Sequence, residues 1–105
     1  VMVVVRVSFP IEGLDYVDFQ QAMLDSVPKY EGIDGLIRKY YVSSEDKKFG
    51  GGIYLWESRE KAEGWYNQEW VNRITSAFGR PELEYLECGI VVDNETHLVT
   101  SKNAA

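Results

Sequence analysis

The first nine residues, VMVVVRVSF, are apolar at every odd position, and the even positions turn polar only at Arg6 and Ser8. A β-branched run of this kind, stopped by Pro10, predicts a strand covered on both faces with one polar corner. Asp15 is placed to cap a helix whose first turn carries Asp18. Phe19, Met23 and Val27 then recur at helical spacing along one face. Pro28 predicts the end of that helix, because proline lacks the N–H a further turn needs.

LIRKYYV, Leu36 to Val42, predicts a second strand, and SSEDKK a polar turn after it. GGGIYLWE predicts a third strand whose three opening glycines imply a bulge or a close backbone approach. Ser58 suits an N-cap, and Ala62, Tyr66, Trp70, Ile74 and Phe78 form the apolar row of one long helix. Gly79 fits a left-handed C-cap with Pro81 just beyond. LEYLECGIVV, Leu83 to Val92, predicts the fourth strand. The stretch after Asp93 is polar, and it is expected either to lack order or to cross onto a partner.

The order β-α-β-β-α-β predicts an α+β, ferredoxin-like domain: an antiparallel four-stranded sheet with two helices on one face. The domain is expected over residues 1–93, with a polar C-terminal tail over 94–105. Strands one, two and four carry apolar residues on both sides, so the second face of the sheet also needs cover. A second copy of the same sheet is the simplest cover, which predicts a homodimer.

Composition narrows the partners. The chain has 105 residues and a net charge of −6. That length predicts one domain, and the charge argues against a phosphate-binding footprint or an anionic membrane surface. The longest apolar run, Val1 to Val5, is too short to span a bilayer. Cys88 is the only cysteine and His97 the only histidine, so neither an internal disulfide nor a metal cluster is expected. With no export signal evident, a reducing cytoplasm is the expected setting. The triple glycine leads into a strand rather than a helix, unlike a dinucleotide loop, and no cofactor is expected.

Candidate chemistry gathers around YLWESREKAEGWYNQEW, Tyr54 to Trp70, which holds all three tryptophans. Trp70 belongs to the apolar helix row and reads first as core. Trp65 lies off that row, where it would rim a cleft or cover the core edge. Tyr54 and Trp56 share one face of the third strand, assigned to the helix side, while Ile53 and Leu55 take the other, assigned to the dimer seam. Arg6, in an otherwise apolar strand, needs either a carboxylate such as Glu57, Glu84 or Glu87, or an anionic ligand. Ser8 shares its polar corner. Arg38 is a further ligand-binding candidate, although one of Arg38 and Lys39 should face outward and guard a sheet edge. Asn67, Glu69 and Arg73 are either pocket polar groups or a solvated helix face.

GLIRKYY, from Gly35, and GGIYLWESREKAEGWY, from Gly51 to Tyr66, resemble the small monooxygenase-like proteins of the YdhR type, in the dimeric α/β-barrel superfamily that also holds the antibiotic-biosynthesis monooxygenases. The resemblance implies a cofactor-independent monooxygenase acting on a small aromatic or polycyclic phenol or enol, with no cofactor and a small aromatic ligand. It implies catalytic roles for Arg6, Tyr54 and Trp65 and ligand contacts for Ser8, Arg38, Trp56 and Trp70. The haem-degrading branch of the superfamily is a weaker fit. Trp56, Ser58 and Trp65 match its motif, but Thr75 stands where it needs a histidine and Arg6 where it uses an asparagine. The alternatives are a non-catalytic binding or sensing module and an isomerase or cyclase of the same fold.

Overall fold

A computed structural model describes residues 1–101 of the chain. Its strands are β1 (Met2–Pro10), β2 (Leu36–Ser43), β3 (Phe49–Trp56), β4 (Glu82–Cys88), β5 (Ile90–Asp93) and β6 (Leu98–Ser101). Its helices are α1 (Tyr16–Tyr30), α2 (Arg59–Trp65) and α3 (Gln68–Ala77). The first four strands form one antiparallel sheet in the order β2-β3-β1-β4, with β1 central. This is the predicted α+β, ferredoxin-like arrangement, with three helices in place of two.

Alternation sorts the sheet into two faces. Val3, Val5, Val7 and Phe9 of β1, Tyr54 and Trp56 of β3, and Leu83 and Tyr85 of β4 belong to the core beneath the helices. The register sets Val3 beside Trp56 and Val5 beside Tyr54, so the aromatic pair lies on the helix side and Ile53 and Leu55 on the open side. The helix row also folds inward: Ala62, Tyr66 and Trp70 are buried, and Ile74 and Phe78 pack against them.

Four local expectations are corrected. The long second helix is two helices, because Asn67 leaves the helix and its side chain accepts the Trp70 N–H at 2.9 Å, capping α3. Pro28 lies inside α1 rather than ending it. The missing N–H falls in the last turn, which Glu31 closes by donating its N–H to Val27. The predicted fourth strand divides at Gly89 into β4 and β5. β5 leaves the sheet and pairs with β6, so residues after Asp93 form an ordered hairpin up to Ser101. Asp93 shapes its turn by accepting the N–H groups of Glu95 and Thr96. Residues 102–105, to which the tail expectation also extended, lie outside the described residues.

The glycines of β3 mark close approach rather than a bulge. β3 keeps a regular register with β1, and the irregularity is on β2, between Leu36 and Arg38. A Cβ on Gly50 would come within 2.6 Å of the Phe19 ring, and one on Gly52 within 2.8 Å of the Tyr54 ring and 3.1 Å of Lys39 Cε. Gly50 therefore admits α1 to the sheet, and Gly52 makes room for the Lys39 chain.

Candidate active site

Between α1 and α3, above β2 and β3, lies a groove of about 170 Å³. Met23, Ser26 and Tyr30 of α1, Lys39 of β2, Tyr54 of β3 and Trp70 of α3 contribute to its walls. Arg73, Lys29, Ala22 and Ala77 line it as well and are themselves exposed, so the groove opens to solvent between the helices.

Lys39, weighed from sequence only as a partner of Arg38 at a sheet edge, is a further candidate group. The β2 irregularity sets the phase of the strand, pairing Lys39 with Tyr54 across the sheet and sending it, with Tyr41, to the helix side. Its Nζ lies 3.3 Å from the ring centroid of Tyr30, 3.7 Å from that of Tyr41 and 4.8 Å from that of Tyr54. Burial pulls the ammonium down to about 7 from its ordinary 10.5. The aromatic faces act the other way, since each attracts the cation. The result is an amine that exchanges a proton near neutral pH. One signal was present in the sequence: Lys39 and Tyr41 alternate with Arg38 and Tyr40, so whichever cation faced inward would bring a tyrosine with it.

Tyr54 and Tyr66 do not act as bases. Burial pushes the Tyr54 hydroxyl well above its ordinary range, and Tyr66 likewise. Tyr54 therefore stays protonated: its hydroxyl can donate or accept a hydrogen bond but does not take up a proton. Its ring is nearly parallel to that of Trp56, with centroids 6.3 Å apart. Trp56 is fully buried behind it and donates its indole N–H to the Tyr66 hydroxyl at 3.1 Å. Trp70 meets the groove directly, and its buried indole N–H has no partner among the described residues. Leaving such a donor unpaired costs about 1–3 kcal/mol.

The other sequence candidates disperse. Trp65 packs on Tyr30, with centroids 5.4 Å apart, and does not line the groove. Its indole N–H is also buried without a partner. Arg6 lies on the open face of the sheet, largely exposed, 3.9 Å from Glu84. Ser8 shares that face, beside a separate shallow hollow with Arg6. Arg38 also points to the open side and reaches Asp93 of the hairpin at 3.5 Å. Within one chain the sheet thus separates Tyr54 and Trp70 from Arg6, Ser8 and Arg38. Asn67 serves as a helix cap and Glu69 is exposed, while Arg73 stands at the groove. Among the described residues no group of acids, cysteines and histidine is arranged to hold a metal ion, and no helix is long and apolar enough to cross a membrane.

The open face carries a larger hollow of about 880 Å³ between the sheet and the β5–β6 hairpin, lined by Val4, Tyr40, Ile53, Leu55, Val92 and Leu98 among others. It is more exposed to solvent and lacks a convergent set of buried polar groups.

Comparison with solved structures supports the architecture. A cofactor-independent oxygenase from Streptomyces nogalater, SnoaB, superposes with a TM-score of 0.62 at 13% identity over 83% of this chain and 92% of that one. A Bordetella bronchiseptica protein described as a putative antibiotic biosynthesis monooxygenase gives 0.63 at 15% identity, over 83% and 96%. The ActVA-Orf6 monooxygenase of Streptomyces coelicolor, solved with nanaomycin D, gives 0.56 at 19% identity, over 89% and 92%. At these identities the likeness is one of fold. In sequence, no curated protein matches the chain. The profile of the family described as "Putative mono-oxygenase ydhR" matches residues 4–94, nearly the whole folded unit, and the chain belongs to that family.

Proposed function

We propose that the protein is a cofactor-independent monooxygenase acting on a small phenol or enol, and that its reaction takes place in the groove between α1 and α3. The observation that carries this reading is Lys39, an amine with no ion-pair partner among the described residues, held against three tyrosine rings at the wall of a ring-sized cavity. A cavity of about 150 Å³ accepts a benzene ring. The structural neighbours include oxygenases, which supports the reaction class.

The chemistry balances without an added reductant. A phenol and one dioxygen give a quinone and one water, so the substrate supplies the electrons that reduce both oxygen atoms. The protein's task is to draw off the hydroxyl proton and hold the resulting anion in a dry site. Neutral Lys39 takes that proton, and the ammonium formed sits opposite the phenolate while the tyrosine faces stabilise it. Tyr54 and Trp70 flank the ring. Charge stabilisation, assigned from sequence to Arg6, thus falls to Lys39.

We propose further that two copies associate through the open sheet faces. Tyr40, Val42, Phe49 and Leu86 leave that side apolar and exposed, which supports a covering partner.

Oxygen consumption tests the reaction. With a panel of single-ring phenols, the protein should consume dioxygen and release the quinone in equal amounts. Lys39→Met should slow uptake by at least about tenfold, the usual scale of general base catalysis being 100-fold or more. Tight binding of a panel member with no oxygen uptake would instead assign the groove to a container without catalysis.

A further inference from the structure

The charges of this chain are unevenly placed. Net charge is −6, yet every ionisable side chain lining the groove other than its tyrosines is basic: Lys29, Lys39 and Arg73. Of the other cations among the described residues five are paired, while Lys47 and Arg80, which do not line the groove, are not. Arg6, Arg38, Lys48, Arg59 and Lys61 each have a carboxylate within ion-pair distance. Among the described residues Lys29, Lys39 and Arg73 have none. The acids one helical turn before Lys29 and Arg73 make no ion pair with them. Asp25, one helical turn before Lys29, accepts from Gln21 at 2.9 Å. Glu69, one turn before Arg73, makes no ion pair.

The arrangement is graded by depth. Lys39 sits at the aromatic wall, and Lys29 and Arg73 are exposed on the two helices that border the mouth. The apolar volume near Lys39 fits one ring, and the mouth is open, so a substituent on that ring can project between α1 and α3. An exposed guanidinium binds a carboxylate in two parallel hydrogen bonds, a geometry lysine cannot match.

We infer that the groove selects a single-ring aromatic acid, with the ring lying along Lys39, Tyr54 and Trp70 and a carboxylate held at the mouth by Arg73 and Lys29. This rests on the proposed function only in taking the ring to be aromatic; it names the charged group that reading leaves open. A neutral ring of the same size leaves the two mouth cations in water, where they contribute nothing to its affinity. A polycyclic ligand exceeds the cavity unless α1 moves.

The test is calorimetric titration of the full chain at low salt with two probes of matched shape, 4-hydroxybenzoate and 4-hydroxybenzamide, which differ in charge and in the amide N–H donors that replace one carboxylate oxygen. The acid should bind at least about fivefold more tightly, and salt should erode that advantage, as expected for an exposed ion pair. Arg73→Gln should remove most of the acid's advantage and leave amide binding unchanged. Arg73 is exposed, so this variant is expected to fold, and circular dichroism checks that it has. Equal affinity for the two probes overturns the inference, as does an acid preference that survives Arg73→Gln together with Lys29→Gln. Failure of both probes to bind by about 5 mM, weaker than about 3 kcal/mol, overturns it too. Binding is read apart from turnover. Acid-selective binding without oxygen uptake keeps this inference and removes the monooxygenase reading. Uptake with neutral phenols and no charge preference does the reverse.

Discussion

Lys39 concentrates the residue-scale chemistry, and its environment has a consequence for stability. In the unfolded chain its amine titrates near the ordinary 10.5, and in the fold at about 7. Between those values the unfolded chain binds a proton that the folded chain lacks, so stability rises with pH through this window. Above about 10 the buried tyrosines reverse the trend, because unfolded phenols lose protons that Tyr54 and Tyr66 retain. Urea unfolding between pH 7 and pH 9.5 should therefore show a rising midpoint for the natural chain. Lys39→Met should flatten the rise. An equal rise in the variant would mean that Lys39 keeps its ordinary proton affinity in the fold. At this scale the sequence offered the residues but not their company. Alternation identified Tyr54 and Trp56 as facing one way. Deciding between Arg38 and Lys39 required the phase of β2, which the irregularity before Arg38 sets.

Elements differ in how firmly they are held. β1 is paired on both sides and its odd positions are buried. α1, by contrast, buries only Phe19, whose ring meets Phe9 and Phe78 at centroid distances of 6.2 and 5.7 Å. A second hollow of about 340 Å³ lies on its far side, against β2. The helix is held near its start by Phe19 and near its end by Tyr30, which packs on Trp65 and Tyr54, with space on both flanks between. Amide hydrogen exchange should be faster in α1 than in β1 or β3, and Phe19→Ala should accelerate α1 further while costing about 3 kcal/mol overall. Uniform protection across α1 and β1 would show that the helix does not open apart from the sheet. The helix break at Asn67 belongs to this scale too. Its type was readable, since asparagine caps helices well, but the apolar row continued straight through it. Periodicity records which residues are buried, and a short interruption that keeps the burial phase leaves the pattern unchanged.

The whole molecule carries an extension that its own core does not use. A compact chain of this length has a radius of gyration near 13 Å, and this one has 14.6 Å over extents of 43 × 31 × 23 Å. The β5–β6 hairpin contributes exposed Ile90, Val92, Leu98 and Val99. An isolated two-stranded hairpin is marginal in water, so apolar side chains on it argue for a covering surface. Sedimentation equilibrium should give twice the mass of one chain. Leu86→Glu combined with Tyr40→Glu, both on the open face, should shift the particle toward one chain while leaving the helix-side core intact. A natural chain that sediments as a monomer at all concentrations would remove the paired-sheet proposal.

The order of the main elements, the pairing of Tyr54 with Trp56 on one face of β3 and the burial of Tyr66 and Trp70 followed from side-chain alternation and helical spacing, because burial repeats with the backbone's own period; which face of β3 met the helices did not. Neither did the place of the site. It depends on which helix crosses which strand, on a one-residue irregularity that turns Lys39 inward, and on glycines that let α1 come close. Those are relations between segments distant in the chain, and a one-dimensional pattern holds no record of which distant segments meet. The same holds for Arg6: its strand and its neighbours could be read from sequence, but only the packed sheet decided that it looks away from the aromatic groove and toward Glu84.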